Sequence, residues 1–280
     1  MAHPLVTVCT PTFRGAKYLP ATIESVLGQT HSNWKLWIVD DNSPDDTEQV
    51  VRRYADKRIS YVRNSSNLGP QGNWNRCLEL AGGEYFKLLP HDDLLAPDCL
   101  ELQVRAFERR DSTGVSLVFG KRRVIGPQGQ MLMSRGPGLS GSQRVDGCQL
   151  VRRCIRSGAN LIGEPGNGLL RTSAIGSIGP YDATHPYVVD LDYWFRLLAT
   201  GDAFYTDSWS SSFRVSAGSW SVAIGNAQHR DYLQFVDRYR GRSHYGISAL
   251  DVAIAKIRAP TNTMARTAIY RYLAMKGSMQ

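Results

Sequence analysis

The sequence predicts an α/β fold in which a mostly parallel sheet is flanked by helices. The first observation is an alternation, up to Leu89, of short apolar runs with amphipathic stretches and short connections. This alternation is typical of parallel strands joined by helical crossovers. The second observation is that three of the four apolar runs end in hydroxyl or carboxyl side chains. Because parallel strands end at one edge of the sheet, where α/β proteins bind ligands, these side chains predict a binding site.

The four apolar runs are the predicted strands. They are rich in β-branched and aromatic residues, as expected of strands buried on both faces of a sheet. The strands cover residues 5–10, 34–39, 59–62 and 85–89, and the helices between them cover 18–29, about 46 to 54, and 73–81. Thr10, Pro11 and Thr12 close the first strand, and Asp40 and Asp41 follow the second.

The stretch from Tyr85 to Leu95 carries the most specific chemical signal. Its strand stops at Pro90 and is followed by two adjacent carboxylates, Asp92 and Asp93. Burying two acids is costly without a positive partner, and Mg²⁺ prefers one or two carboxylates together with phosphate oxygens. The stretch therefore predicts a divalent metal that carries a phosphate. The alternative is that Asp92 caps the following turn and Asp93 is a solvated acid.

Phosphate-binding glycine motifs are missing from the expected places. No G-x-G-x-x-G follows the first strand, and residues 114–121 have the wrong glycine spacing for a P-loop. A diphosphate bound here would have to be neutralised in another way, and a metal held by carboxylates would do so.

The second half of the chain is less regular. A helix is predicted to about residue 110, a strand at 115–119, and short strands at 203–206 and 212–215. Between them, the Gly-, Pro-, Ser- and Arg-rich region 120–147 is interpreted as hairpins and loops beside a ligand site, or as a surface insertion. The glycine-rich stretch 158–170 has Glu164 at its centre. Its glycines would let the backbone approach a ligand, although loop chemistry explains them equally well.

A further acidic stretch, residues 188–198, predicts a helix that starts at Asp190. Asp190 and Trp194 are four residues apart and share a face, whereas Asp192 points elsewhere. The simplest interpretation of Asp190 by itself is a helix N-cap.

Composition limits the function without defining it. The formal charge of +8 and the pI near 9.3 fit an anionic substrate, an anionic membrane surface or nucleic acid. The helical C-terminal third is especially basic, which fits either a solvated face or contact with a membrane or acceptor. Five cysteines without a C-x-x-C pair favour reduced thiols and a cytosolic setting. Neither a signal peptide nor a membrane-spanning segment is expected.

Taken together, five segments resemble the family 2 glycosyltransferases, the inverting and metal-dependent GT-A type. They are "VTVCTPTFRGAKYLPATIESVLGQTHSNWKLWIVDDNSPDDT", "NLGPQGNWN", "GGEYFKLLPHDDLLAPDCL", "GPYD" and "VVDLDYWFRL", in the family's order and spacing. The resemblance implies a GT-A (Rossmann-like) domain over 1–222, divided into a nucleotide-binding half, 1–110, and an acceptor and catalytic half, 111–222. A basic helical extension, 223–280, follows.

The resemblance implies roles for particular residues. It places Thr10, Pro11, Thr12, Asp40, Asp41, Asn67 and Asp92 at the nucleotide, and Asp93, with Asp92, at a Mn²⁺ or Mg²⁺ ion. Asp93 is favoured as the metal ligand. Asp190 is the implied general base, and Glu164, Pro165, Asp192 and Trp194 are assigned to the donor sugar and acceptor.

The match has departures. Pro90 and His91 replace the first two residues of the family's "DSDD" pattern, Val189 replaces the Glu of its Glu-Asp pair, and Ser216 stands where many relatives have a histidine. These changes bear on the metal shell more than on the activity. The absence of Q-x-x-R-W argues against a processive polysaccharide synthase.

The resemblance implies transfer from a UDP-, dTDP- or GDP-sugar to a hydroxyl of a glycan, a lipid-linked acceptor or a small molecule. The expected setting is cytoplasmic, with peripheral contact at the inner membrane face. Alternatives are a degenerate relative that binds the nucleotide sugar without turnover, and a sugar nucleotidyltransferase, for which the loop after the first strand has too few glycines and basic residues. Nucleic acid is not expected as a partner, because no recognised binding module accompanies the positive charge.

Overall fold

The structure is a computed structural model that describes residues 3–216 and 228–275, with side chains through residue 269. The strands are β1 (Val6–Thr12), β2 (Trp34–Asp40), β3 (Ile59–Arg63), β4 (Tyr85–Leu88), β5 (Leu94–Leu95), β6 (Val115–Ile125), β7 (Met131–Arg135), β8 (Gln143–Val145), β9 (Gly168–Arg171) and β10 (Asp202–Arg214). The helices are α1 (Leu19–Leu27), α2 (Thr47–Arg52), α3 (Gly69–Glu79), α4 (Cys99–Glu108), α5 (Gly147–Ser157), α6 (Thr172–Ile178), α7 (Val189–Leu198), α8 (Gln228–Arg240) and α9 (Ala249–Met275).

The strands of the described residues form one large sheet in the order β3-β2-β1-β4-β9-β6-β10-β5, with β7 added to β6 and β8 to β10. β1 pairs in parallel with β2 and β4, and β2 pairs in parallel with β3, as the alternation predicted. β9 runs antiparallel between β4 and β6, while β6 and β10 are parallel. The predicted α/β class is confirmed, and the parallel half brings the ends of β1, β2 and β4 to one edge.

Helices cover both faces of the sheet. One apolar cluster joins the sheet to α1, α2 and α4 and includes Ile23 and Phe107. The other joins it to α3, α5, α7 and α8 and includes Ile155, Phe195 and Phe235. Burial of apolar side chains on both faces makes the sheet the rigid layer from which the site projects.

Helix α5 was not predicted, because it lies next to a glycine-rich region. Its sequence nevertheless carries clear boundaries. The Asp146 carboxylate accepts a hydrogen bond of 2.7 Å from the Gln149 amide as an N-cap, and Gly158 ends the helix with φ of 65°. Leu150 and Ile155 are buried on its inner face.

The two short strands predicted at 203–206 and 212–215 were wrong as separate elements. The structure has one strand, β10, whose pairing with β6 shifts register between Tyr205 and Trp209 and again between Trp209 and Ser211. This irregularity interrupts the alternation of apolar and polar residues, although the strand itself continues. The sequence pattern therefore predicted two strands in place of one.

The predicted boundary at 222 and 223 lies outside the described residues. The helices beyond it share the main core: Tyr232 and Phe235 of α8 and Ala255 of α9 belong to the same buried cluster as α5 and α7. Within the described part of the chain, no helix is long and apolar enough to cross a membrane.

Candidate active site

A cleft of about 370 Å³ opens at the carboxyl edge of the parallel strands. It is lined by Pro11, Thr12, Phe13, Asp41, Asn67, Gly69, Pro70, Asn73, Trp74 and His91. Four residues assigned to the nucleotide, Pro11, Thr12, Asp41 and Asn67, therefore meet in one place. Trp74 supplies an aromatic wall that the sequence analysis did not identify.

Asp41 builds one wall of this cleft. Its carboxylate accepts hydrogen bonds of 2.8 and 2.9 Å from the backbone amides of Leu68 and Gly69, and one of 2.9 Å from the Asn64 side chain. The Asn67 side chain donates to the Asp41 carbonyl at 3.1 Å. Asp41 thus holds the turn that leads into α3 against the end of β2.

Asp40 and Thr10 lie beneath the cleft instead of lining it. Asp40 is fully buried and accepts hydrogen bonds of 3.0 Å from the Ser43 amide and 2.5 Å from the Tyr61 hydroxyl. Thr10 is also fully buried. Neither residue lines the cleft, so their assignment to the nucleotide stays a prediction.

The pair Asp92 and Asp93 follows β4 at the edge of the cleft. Asp93 is 2% exposed, and its carboxylate accepts a hydrogen bond of 2.9 Å from the Arg214 amide. Burial, reinforced by the neighbouring Asp92, raises the pKa of Asp93. Asp92 is only partly buried. The two acids therefore differ in burial and in hydrogen bonding, and the choice of Asp93 as the metal ligand stays a prediction.

The surroundings of Asp92 fit a metal that is held mainly by its phosphate ligand. Among the described residues, no group of three or more His, Cys, Asp or Glu side chains is arranged to hold a metal ion. Asp92 is partly exposed and follows His91, which lines the cleft, and Mg²⁺ binds in proteins through one or two carboxylates and substrate phosphates. Asp92 could supply that carboxylate.

A second cavity, of about 120 Å³, surrounds Asp190. It is lined by Arg122, Val124, Met133, Arg135, Ala159, Asn160, Glu164, Tyr187, Val188, Asp190, Phe213, Tyr232, Arg266 and Ile269. These residues come from β6, β7, β10, α7, α8, α9 and the glycine-rich loop, so the cavity is assembled from the whole second half of the fold.

The simplest interpretation of Asp190, as the N-cap of its helix, is wrong. The cap position belongs to Val188, and the Asp190 carboxylate accepts 2.7 Å from the amide of the next residue, Leu191, and 2.9 Å from the Asn160 side chain. Burial, together with the charge of Glu164, raises the pKa of Asp190 to about 7. A carboxyl group with a pKa near neutrality is suited to accept a proton from a hydroxyl.

The loop between α5 and β9 is held in shape by Asn160. Its side-chain oxygen accepts 3.0 Å from the Ile162 amide and 2.8 Å from the Gly163 amide. Gly163 has φ of 111°, and a Cβ there would lie 2.8 Å from Cδ of Arg122, so a glycine is needed. Trp194 donates 2.9 Å to the Gly163 carbonyl, which places it beneath the loop as a support.

Glu164 contacts Arg122 in the lining of the cavity. The two side chains form an ion pair of 2.7 Å, and the Arg122 side chain is 3% exposed. Arg122 also donates 2.9 Å to the Asn160 carbonyl. The sequence analysis identified neither Arg122 nor Asn160. The signal for Arg122 was a basic run after a predicted strand, and the signal for Asn160 was its position in the glycine-rich stretch.

Asp192 and Pro165 were assigned to the donor or acceptor, and the structure places both away from the cavity lining. Asp192 is 3% exposed and accepts 2.8 Å bonds from the Arg196 and Tyr239 side chains, so it ties α7 to α8. Pro165 is buried at the start of a short 3₁₀ turn that follows Glu164. Neither residue lines the cavity around Asp190, so their assignment to the donor or acceptor stays a prediction.

Comparison with known proteins shows the family to which the chain belongs. The model of the family described as "Glycosyl transferase family 2" matches residues 7–155. An uncharacterized glycosyltransferase of Rickettsia typhi is 26% identical over 72% of this chain and 61% of its own length. The putative teichuronic acid biosynthesis glycosyltransferase TuaG of Bacillus subtilis is 38% identical over 41% of this chain and 48% of its own. This chain spans 37% to 63% of the length of the first three curated relatives.

Solved structures share the fold. The structure of S. aureus TarS 1–349 in complex with UDP-GlcNAc superposes with a TM-score of 0.64 at 15% identity, over 91% of this chain and 71% of that one. The mannosyltransferase PcManGT of Pyrobaculum calidifontis, in complex with GDP-Man and Mn²⁺, gives 0.60 at 17% identity, over 99% of this chain and 80% of that one. The family match covers more than half of the chain, and the solved structures share its fold; the chain belongs to glycosyl transferase family 2.

Proposed function

We propose that this protein transfers a sugar from a nucleoside-diphosphate sugar to a hydroxyl group of an acceptor, with inversion at the anomeric carbon. The observation that carries the proposal is Asp190, a carboxyl group with a pKa of about 7 held by Asn160 in a cavity of the second half of the fold. Asp190 accepts the proton of the acceptor hydroxyl as that oxygen attacks the sugar.

The arrangement of the acids favours inversion. A retaining double displacement would need a second, free carboxylate as nucleophile, as in retaining glycosidases. Glu164, the neighbouring acid, is paired with the buried Arg122. One base and one in-line displacement therefore account for the residues that surround the cavity.

The nucleotide would occupy the cleft between Thr12, Asp41 and Trp74, with the base against Trp74. The diphosphate would extend toward Asp92, which would hold a divalent metal. When bound, that metal supplies Lewis-acid stabilisation of the departing diphosphate. Asp93 supports this end from below through its bond to the Arg214 amide.

The donor's base remains to be measured. TarS and PcManGT were solved with UDP-GlcNAc and GDP-Man, and WfgD of Escherichia coli, 31% identical over 43% of this chain, is named as using UDP-Glc. UDP, dTDP and GDP are therefore the probes, titrated by calorimetry with and without Mg²⁺ or Mn²⁺.

The first prediction concerns these titrations. We expect one nucleotide to bind more tightly with metal, and Asp92→Asn to remove the metal dependence. Asp237→Asn, an exposed acid of α8, is the control and should behave as wild type. Failure of every nucleotide to bind would contradict the transferase proposal. Binding without turnover in the presence of candidate acceptors would favour the degenerate relative.

We also propose that α9 contacts an anionic bilayer peripherally. Leu250, Ile257 and Met264 are 61%, 70% and 72% exposed. Their spacing of seven residues places them on one face of the helix. The exposed Lys256 and Arg258 beside this face suit anionic lipid headgroups and would repel a second copy of the same helix.

Sedimentation with vesicles tests this contact. We expect the protein to sediment with phosphatidylglycerol-containing vesicles and not with pure phosphatidylcholine, and Ile257→Asp to reduce the bound fraction. Met131→Asp, at a 56% exposed site on β7, is the matched control and should bind as wild type. Equal sedimentation of both variants, or concentration-dependent dimers lost in Ile257→Asp, would contradict the bilayer assignment.

A further inference from the structure

The cavity around Asp190 contains more positive charge than the proposed proton transfer needs. Three arginines line it: Arg122 from β6, Arg135 from β7 and Arg266 from α9. The acids of the lining are Glu164 and Asp190. Glu164 offsets Arg122 through their ion pair, and Arg266 and Arg135 line the same cavity as the carboxyl group of Asp190.

Arg266 keeps its charge available. In the described part of the chain its hydrogen bonds go to two uncharged groups, the Tyr187 hydroxyl and the Gln228 side-chain oxygen. Its guanidinium lies 5.4 Å from the centre of the Tyr187 ring. A guanidinium carries five donors, so these contacts orient the group and leave donors for a ligand.

Arg135 acts on the same place. Burial raises the pKa of Tyr187, and the charges of Arg266 and Arg135 both oppose that rise. Arg135, Arg266 and Tyr187 all line the cavity that also holds Asp190. Paired arginines are the usual protein partner of phosphate and carboxylate groups, because their planar donors match two oxygens at once.

We infer that the acceptor carries an anionic group, a phosphate or a carboxylate, which Arg266 and Arg135 bind beside Asp190. This inference rests on the proposed function, since it is the transfer reaction that brings an acceptor hydroxyl to Asp190. We assign the anion to the acceptor because the proposed function already gives the donor's diphosphate its own place, between the cleft and Asp92. Selection for a charged acceptor would then depend on α9, a helix outside the residues that the family model matches.

Calorimetry with two simple probes tests the inference. The protein is saturated with UDP and Mg²⁺, so that the diphosphate site is filled, and is titrated with α-D-glucose 1-phosphate or with the neutral methyl α-D-glucoside. We expect the phosphate to bind at least about tenfold more tightly than the neutral sugar, the gain of one charge-assisted contact. Arg266→Gln should remove that difference and leave the affinity for UDP unchanged.

Two further variants make the result unambiguous. Arg135→Gln should weaken the sugar phosphate in the same way, which covers the case in which Arg266→Gln fails to fold. Arg258→Gln, an exposed arginine of the same helix, is the control and should bind both probes as wild type.

Each contrary result has a distinct meaning. Equal binding of the two sugars by the wild type, or unchanged sugar-phosphate binding by both cavity variants, would overturn the inference. Loss of UDP affinity in Arg266→Gln would also overturn it, because the arginine would then serve the donor's diphosphate. If the wild type bound no nucleotide, the proposed function would fail, and the same titration without UDP would still decide whether the cavity binds an anion.

Discussion

At the scale of single residues, the chemistry depends on how Asp190 is held. Burial and Glu164 disfavour its charged form, whereas the Leu191 amide, Arg122 and Asn160 favour it, and the balance leaves the pKa at about 7. A base must be ionised to accept a proton, so its working range begins near this pH.

The pH dependence of activity follows from this balance. We expect kcat/KM to rise with pH through an apparent pKa of about 7, because Asp190 is protonated below that value. Asn160→Ala removes a hydrogen bond to the charged form and should move the inflection to higher pH while lowering kcat. Asn33→Ala, an exposed control, should leave the profile in place. A profile that is flat between pH 5 and 9 would exclude Asp190 as the base.

The same scale separates Asp92 from Asp93. Adjacent acids look alike in a sequence, and only their burial distinguishes them: one carboxylate is accessible at the cleft, and the other bonds to the Arg214 amide, 121 residues away. Buried contacts also describe Trp194 and Asp192. Trp194 donates to the Gly163 carbonyl, and Asp192 accepts a hydrogen bond from the Tyr239 side chain.

At the scale of elements, the loop from Asn160 to Asn167 positions Glu164. It is anchored from beneath by Lys87 of β4, which is fully buried and donates 2.9 and 2.8 Å to the carbonyls of Gly166 and Gly168. Burial lowers the pKa of Lys87. A lysine in the centre of a strand thus links the parallel half of the sheet to the loop of the second half.

Replacing this lysine should affect both stability and catalysis. Lys87→Met leaves two buried carbonyls without a donor, and we expect a loss of about 2 kcal/mol in the free energy of unfolding and a lower kcat. Urea denaturation and steady-state rates measure the two effects. Lys57→Met, on the exposed surface, should change neither. A stable variant with normal kcat would show that the loop holds its shape without Lys87.

At the scale of the whole molecule, the raised pKa of Asp190 lowers the free energy of unfolding at neutral and higher pH. The pKa of Asp190 is about 7 in the folded protein, against about 3.9 for an aspartate in an unfolded chain. Between these values the folded state retains a proton that the unfolded state has released, so this group makes the protein less stable as pH rises through the interval.

Asp190→Asn should reveal this cost, because an amide keeps the shape without the charge, although it can accept only one of the two hydrogen bonds that Leu191 and Asn160 donate. We expect the variant to be more stable than the wild type at pH 8, by about 1 kcal/mol after allowance for its partial exposure, with the difference shrinking toward pH 5. Denaturant unfolding at both pH values measures it. A variant that is less stable than the wild type at pH 8 would mean that ionised Asp190 stabilises the fold.

The sequence by itself determined the α/β class, the parallel direction of the strands in the first half and the meeting of Thr12 and Asp41 at one edge. It could do so because strand periodicity is local and parallel strands end on the same side. The tertiary structure decided which residues line the second cavity. Asn160 reaches Asp190 across 30 residues, and Arg266 reaches Tyr187 across 79. No local pattern encodes such contacts, because they exist only after the helices have packed on the sheet.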